Sequence, residues 1–261
     1  WANTENIGDD IQSLAAINFL KKKGVESKYL LNRENLSDYD GPETYLLMNG
    51  WFIHNINKFP PSPKIHPIFI SFHCAKESVV SNNIDYFKKH EPIGCRDIHT
   101  VKILNKHGIR AFFSGCLTLD FDQTNAKLVG KYIVDVNTCS YIPKVNFNSS
   151  MYEDFEKIEH ELPRTNIRNN ISMRLNIARR ILDLYASADL VITSRLHAAL
   201  PCRAFGTRVK FIHSQLSDIR FGGLESVLAG SEDIDSCKDQ ISREILRPIL
   251  DNFDRFVLPI R

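Results

Sequence analysis

Arg195 and His197 stand two residues apart where Ala188-Asp189-Leu190-Val191-Ile192-Thr193 gives way to Ser194-Arg195-Leu196-His197. The first run has the composition of a buried strand, and a short polar turn into a helix follows it. In an open α/β sheet, ligands bind outside the carboxyl ends of the strands. The amino end of a helix offers N–H groups and a positive dipole end, which suits an anion. Arg195 adds a two-pronged grip for a carboxylate or phosphate. His197 is the nearby side chain able to give and take a proton near neutral pH. Ser194 is a natural N-cap for the helix.

The same arrangement recurs earlier, in Gly94-Cys95-Arg96-Asp97. Asp97 is an N-cap by type, whatever else it does. An arginine at a helix start opposes the dipole, and that misfit favours an anion held between Arg96 and the helix. Two such arginines from two halves of the chain form a clamp for one multiply charged ligand. Weaker candidates flank other strand ends. Asp9 opens a helix at Gly8-Asp9-Asp10, either as a cap or as a group facing a sugar hydroxyl. Asn49-Gly50-Trp51 follows a strand; Gly50 permits a turn, and Trp51 is either core or a platform under a sugar ring. His73 lies just past another strand end, where a structural role is the simpler reading. Ser114-Gly115-Cys116 follows a fourth strand with a hydroxyl to offer, while Cys116 has no evident activating base. Glu159, His160 and Glu161 lack a recognised metal spacing. Neither G-x-G-x-x-G nor a P-loop is present.

The elements that must carry these residues alternate strand and helix throughout, which predicts an α/β fold with mainly parallel sheets. Residues 9–23 form an amphipathic helix closed by Gly24. Strands follow at 45–48, 65–73 and 92–95, then a helix at 97–107 and a strand at 109–113. The second half restarts with a strand at 131–136, a short helix at 152–157 and a short strand at 158–162. A strong helix covers 170–187, then come ADLVIT, a helix at about 195–205 and a strand at 208–212. A last helix spans about 240–253. The expected architecture is two Rossmann-like halves facing a cleft, residues 1–125 and 126–261, with the terminal helix crossing back.

Composition limits the partners. The 261 residues carry a formal net charge of +2, with 43% hydrophobic and 25% charged residues. That is ordinary for a globular protein and gives no case for nucleic acid. The six cysteines form no C-x-x-C pair, which favours reduced thiols and an intracellular setting. No apolar run is long enough to span a membrane, and no signal peptide is visible in a sequence that begins at Trp1.

With these residues assembled, the chain resembles the polysaccharide pyruvyl transferase family. The resemblance rests on NIGDDIQSLA, NGW, ISFH, PIGCRDIHTVKILNKHGIRAFFSGCLTL and ADLVITSRLHAALPCRAFG, in the family's order. It implies a fold like GT-B glycosyltransferases, phosphoenolpyruvate as donor, and a sugar in a glycan or glycan precursor as acceptor. The acceptor could be free, polymeric or lipid-linked. The product would be a cyclic pyruvate ketal on two sugar hydroxyls. By this likeness Arg195 and His197 belong to the donor site and Arg96 matches its arginine from the other half, while the chemistry of the residues makes His197 and Asp97 the catalytic candidates. Arg96, Arg195, Ser194, Leu196 and Ser114 belong to the donor side, and Asp9, Asn49, Trp51 and His73 to the acceptor side. Neither a metal nor a cofactor is expected, and the expected location is cytoplasmic, peripheral to a membrane only through a lipid-linked acceptor. Many members carry a Gly-Asp-Pro type turn where this chain has Ser114-Gly115-Cys116, so acceptor preference does not carry over. Two other readings use the same residues: a GT-B glycosyltransferase holding a sugar-nucleotide diphosphate at the helix end, and a non-catalytic glycan- or phosphate-binding protein.

Overall fold

The computed structural model describes residues 4–26, 30–123, 129–136, 146, 148–162, 169–213 and 218–229. The helix expected at 240–253 lies outside them. Within them, two four-stranded parallel sheets carry the architecture. The first is built from β1 (Thr44–Trp51), β2 (Ile65–His73), β3 (Ile93–Cys95) and β4 (Ala111–Phe113), side by side in chain order. Helices α2 (Glu77–Ser81) and α3 (Ile84–Lys89) connect β2 to β3, and α4 (Ile98–Lys106) connects β3 to β4. The second sheet has β5 (Lys131–Val134), β6 (Glu156–Ile158), β7 (Leu190–Thr193) and β8 (Arg208–Phe211) in the order β6-β5-β7-β8. Helix α5 (Ile171–Ser187) precedes β7, α6 (Leu196–Phe205) links β7 to β8, and α7 (Glu225–Ala229) follows. The chain leaves β5 for one side and returns to its other side, so the strand order reverses between β5 and β7. Such a reversal opens a crevice at the strands' carboxyl ends.

The remaining helix, α1 (Gly8–Lys22), is shared by both sheets. Ile7, just before it, and its Ile11 and Leu14 join Tyr132, Val134, Leu175, Leu182 and Val191 in one core. Its Ala15 and Phe19 join Ile70, Leu117, Leu119, Ala199, Leu200 and Phe221 in another. Full burial of side chains like Phe19 or Ile11 stabilises the fold by about 1.5–3 kcal/mol each. A third core, with Met48, Phe69, Phe72, Phe87, Ile93 and Leu104, lies under the first sheet. Asp9 and Asp10 in the first turn of α1 and Lys21 and Lys22 in the last both suit the helix dipole.

A buried ion pair fixes α1 against α5. Arg174 Nε and Nη2 donate to the two carboxylate oxygens of Asp10 at 3.0 and 2.6 Å, with both side chains fully buried. Arg174 Nη1 also donates to the Thr4 carbonyl at 2.6 Å. Removing one partner leaves the other charge buried and alone. Arg174→Met is therefore expected to cost about 3–5 kcal/mol, and adding Asp10→Leu to restore much of it. Urea unfolding of the two variants checks this; an unchanged midpoint in the single variant would contradict it.

The sequence expectation fails at 152–157. Residues Ser149–Tyr152 form a 3-10 turn and Glu156–Ile158 are β6, so no helix forms there. Tyr152 and Phe155 pack on Ile133, Val136 and Ile192, which pulls the following residues into register beside β5. The strand expected at 158–162 consequently sits two residues earlier. β1 also runs longer than the expected 45–48 and absorbs Asn49-Gly50-Trp51. No helix among the described residues is long and apolar enough to cross a membrane.

Candidate active site

A pocket of about 820 Å³ opens at the carboxyl ends of the strands. Asp9, Trp51, His73, Arg96, His197 and Arg220 all line it. Trp51 ends β1 and His73 ends β2, paired in register with each other. Their rings lie 5.1 Å apart, and His54 flanks Trp51 on another side at 5.8 Å. The register of β1 and β2 slips between Met48 and Gly50, where Ile70 and Ser71 of β2 stand opposite Asn49 alone; this bulge, with Ser71 at φ +60°, shifts the alternation of β2 just before His73. Gly50 lets α1 lie close to β1: its φ is +123°, and a Cβ there would run into Gln12 Oε1.

Arg96 follows β3, with its backbone N–H donated to the Phe72 carbonyl at 2.8 Å. Its side chain is 5% exposed, and its Nε has no hydrogen-bond partner. Among the described residues its guanidinium makes no ion pair. Every other arginine near the pocket is matched. Arg33 grips both Asp9 oxygens at 3.1 and 3.2 Å and also reaches Glu34. Arg220 grips both Asp218 oxygens at 2.9 and 2.7 Å. Arg195 bridges Asp135 at 2.8 Å and Glu161 at 3.1 Å. A buried charge without a partner is costly, and an anion in the pocket would offset that cost.

Asp97 is the N-cap of α4, as its type predicted. Oδ1 accepts the Thr100 N–H and the Thr100 hydroxyl, both at 2.9 Å. Oδ2 meets His73 Nδ1 at 2.6 Å. Burial pushes the Asp97 carboxyl up, but His73, Arg96 and Thr100 together hold it below its ordinary range. Burial and the Arg96 charge lower the His73 pKa against the pull of Asp97.

His197 lies in the first turn of α6. Burial first, then the charges of Arg96, Arg195 and Arg220, push its pKa down to about 3, with Asp9 opposing. Its Nε2 is buried without a hydrogen-bond partner. Gly8 lets α1 approach this ring: a Cβ there would lie 3.2 Å from His197 Nδ1 and 3.0 Å from Asn6 Oδ1. The glycine of Gly8-Asp9-Asp10 is thus a spacing device for the histidine.

Several expected site residues lie elsewhere. Ser194 does not cap α6; its Oγ donates to the Asp135 carbonyl at 3.0 Å. The N-cap position belongs to Arg195, whose N–H donates to Thr193 Oγ1, and no side chain caps the helix. Arg195 stands behind Glu161, outside the lining, because the two acidic groups hold it there. Leu196 packs into the core beside Ala199 and Phe221. Ser114 is fully buried, donating to the Cys95 carbonyl at 3.1 Å and accepting the Ser71 N–H at 2.9 Å. Asn49 donates to the Gln12 carbonyl at 2.9 Å and pins α1 to β1, outside the lining. Asp9 does line the pocket, but as a partner of Arg33, Thr4 and Gln12 and not as a helix cap. The four described cysteines are free and buried. Among the described residues no group of three or more His, Cys, Asp or Glu side chains is arranged to hold a metal ion.

Arg33, His54, Glu161 and Arg220 line the pocket without having been expected there. All four come from turns and irregular segments, where no periodicity marks a residue as facing inward. The Asp218-Ile219-Arg220 spacing was the one available signal, an acid and an arginine two residues apart.

Residues 84–212 match the model of a family described as polysaccharide pyruvyl transferase. The match includes Arg96, Asp97, Arg195 and His197, and leaves out Asp9, Trp51, His73 and Arg220. A crystal structure of a functionally uncharacterized protein from Klebsiella pneumoniae subsp. pneumoniae is similar, with a TM-score of 0.54, 18% identity and 83% of each chain covered. At that identity the likeness concerns the fold alone. No curated protein matches the chain.

Proposed function

We propose, starting from the polysaccharide pyruvyl transferase family to which residues 84–212 belong, that this protein transfers pyruvate from phosphoenolpyruvate to a glycan sugar as a ketal. The observation that carries the reading is Arg96. It is a buried guanidinium without an ion-pair partner among the described residues, in a pocket with His197 and near the amino end of α6, which no side chain caps. Phosphoenolpyruvate brings a carboxylate and a phosphate, which need more than one positive grip. Arg96 supplies the first and the helix end the second. Arg220 supplies a third by exchanging Asp218 for the ligand. Arg195 acts from behind, holding Glu161 and Asp135 in place.

The donor needs a proton on its methylene carbon to make C2 electrophilic. His197 is the proton donor in this reading, with its ring charged only once the anionic donor is bound. A sugar hydroxyl then bonds to C2, the C2–O bond to phosphate breaks, and a second hydroxyl closes the ketal. One hydroxyl proton replaces the proton given to the methylene carbon, and the other leaves with phosphate. The acceptor ring rests on Trp51, with Asp9 at the edge of the platform. In this reading residues 1–125 form the acceptor side and 126–261 the donor side of a GT-B-like pair, with Arg96 reaching across. The acceptor is a polymeric, lipid-linked or free glycan.

The test is phosphate release from phosphoenolpyruvate with and without a panel of glycan acceptors. Release that depends on acceptor supports the reading. No release with any acceptor, together with binding of a sugar nucleotide in the same pocket, would replace it with glycosyl transfer.

A further inference from the structure

We propose that His73, oriented by Asp97, is the general base that takes the proton from the attacking acceptor hydroxyl; the inference rests on the pyruvyl-transfer reading above. The pocket holds two histidines with opposite surroundings. His197 stands at the helix end among arginines and has no carboxylate hydrogen-bonded to it. His73 stands on the Trp51 side, 2% exposed, with Asp97 Oδ2 on its Nδ1 at 2.6 Å. Two titratable groups whose surroundings set them apart divide acid and base roles between them.

The tautomer of His73 follows from its neighbour. Asp97 is held as a carboxylate, and Thr100 occupies its other oxygen with two hydrogen bonds. A carboxylate only accepts, so Nδ1 of His73 carries the proton and Nε2 keeps its lone pair. Nε2 has no partner among the described residues, and His73 lines the pocket. A sugar lying on Trp51 has its hydroxyls beside this ring. The hydroxyl proton passes to Nε2 as its oxygen bonds to C2, and His73 returns the proton to the departing phosphate through solvent. His197, which gave its proton to the methylene carbon, regains one from the second hydroxyl. Asp97 acts through His73 and is a positioning residue. The charged groups facing His73 are Asp97, Arg96 and Arg220.

Two variants test this, with turnover read as phosphate release from about pH 5 to 9. His73→Gln is expected to lower turnover about 10²- to 10⁴-fold, with donor affinity within about threefold of wild type. The wild-type rate falls on the acid side as His73 protonates, and that limb is expected to vanish in His73→Gln. Asp97→Asn keeps the α4 cap, since asparagine caps as well as aspartate. Its amide donates to Nδ1 and forces the proton onto Nε2, so a loss of up to about 10⁴-fold is expected without loss of donor binding. A His73→Gln variant within about threefold of wild type, or one that keeps the acid limb, overturns the proposal. A folded, fully active Asp97→Asn does the same. A wild-type protein that releases no phosphate with any acceptor overturns the pyruvyl-transfer reading instead, so the two failures are distinct.

Discussion

Replacing His197 by glutamine is expected to slow pyruvyl transfer by about two to four orders of magnitude, the usual loss when a positioned acid or base is removed. Glutamine keeps a polar group of similar reach beside Gly8 and changes the proton chemistry alone. The change also has a signature in donor binding. Burial and the surrounding arginines hold the His197 pKa at about 3, so the ring is neutral at pH 7. A bound carboxylate and phosphate reverse the local field and raise that pKa. Donor binding then takes up a proton, and donor affinity weakens as pH rises through the ring's pKa in the complex. Calorimetry in buffers of different ionisation enthalpy measures the uptake. The His197→Gln variant is expected to lose the part of the uptake that belongs to the ring, leaving that of the ligand's own phosphate. Equal uptake in both proteins, or an unimpaired rate, would remove His197 from the mechanism.

Replacing Arg96 by methionine is expected to move function and stability in opposite directions. Arg96 is 5% exposed, with no ion pair among the described residues, so in the empty protein it is a buried charge that costs free energy. Methionine fills similar space with no charge, so the thermal midpoint of the empty variant is expected to equal or exceed that of wild type. Donor affinity is expected to fall by about 2–5 kcal/mol, roughly 30- to 5,000-fold, because the anion then enters a buried site without its guanidinium. Thermal unfolding with and without phosphoenolpyruvate reads both effects at once: the variant melts no earlier and gains nothing from ligand. An empty variant that melts far below wild type would make Arg96 a structural residue. An unchanged ligand shift would place the donor elsewhere.

How much of this was legible beforehand depended on where each partner lies in the chain. Arg96, Asp97, His197, Trp51 and His73 stand at strand ends, and strand ends can be read from runs of apolar residues. Their types and positions identify them. Arg195 has the right type at the right place, but its carboxylates come from Asp135 and Glu161, which the fold alone brings to it. Ser114, Ser194 and Asn49 are polar side chains at strand ends whose bonds go to backbone groups of neighbouring strands or of α1. No local pattern separates such a structural hydroxyl or amide from one offered to a ligand. The His73–Asp97 pair is non-local in the same way, since β2 and the start of α4 meet only through the sheet. The failed helix at 152–157 has a similar cause: Tyr152 and Phe155 are apolar for the sake of the second sheet and not for a helix face. The sharing of α1 between both sheets was equally hidden, because an amphipathic pattern records which face is apolar and not what covers it.

The identity of the donor and the bond formed at its C2 decide the function. The most direct measurement is mass spectrometry of products after incubation with phosphoenolpyruvate and a panel of hexose and N-acetylhexosamine glycosides. A product carrying one pyruvate ketal is expected, formed with one equivalent of phosphate, and formed about two to four orders of magnitude more slowly with His197→Gln. Acceptors returned unmodified, with no change in the thermal unfolding of the protein by phosphoenolpyruvate, would contradict it.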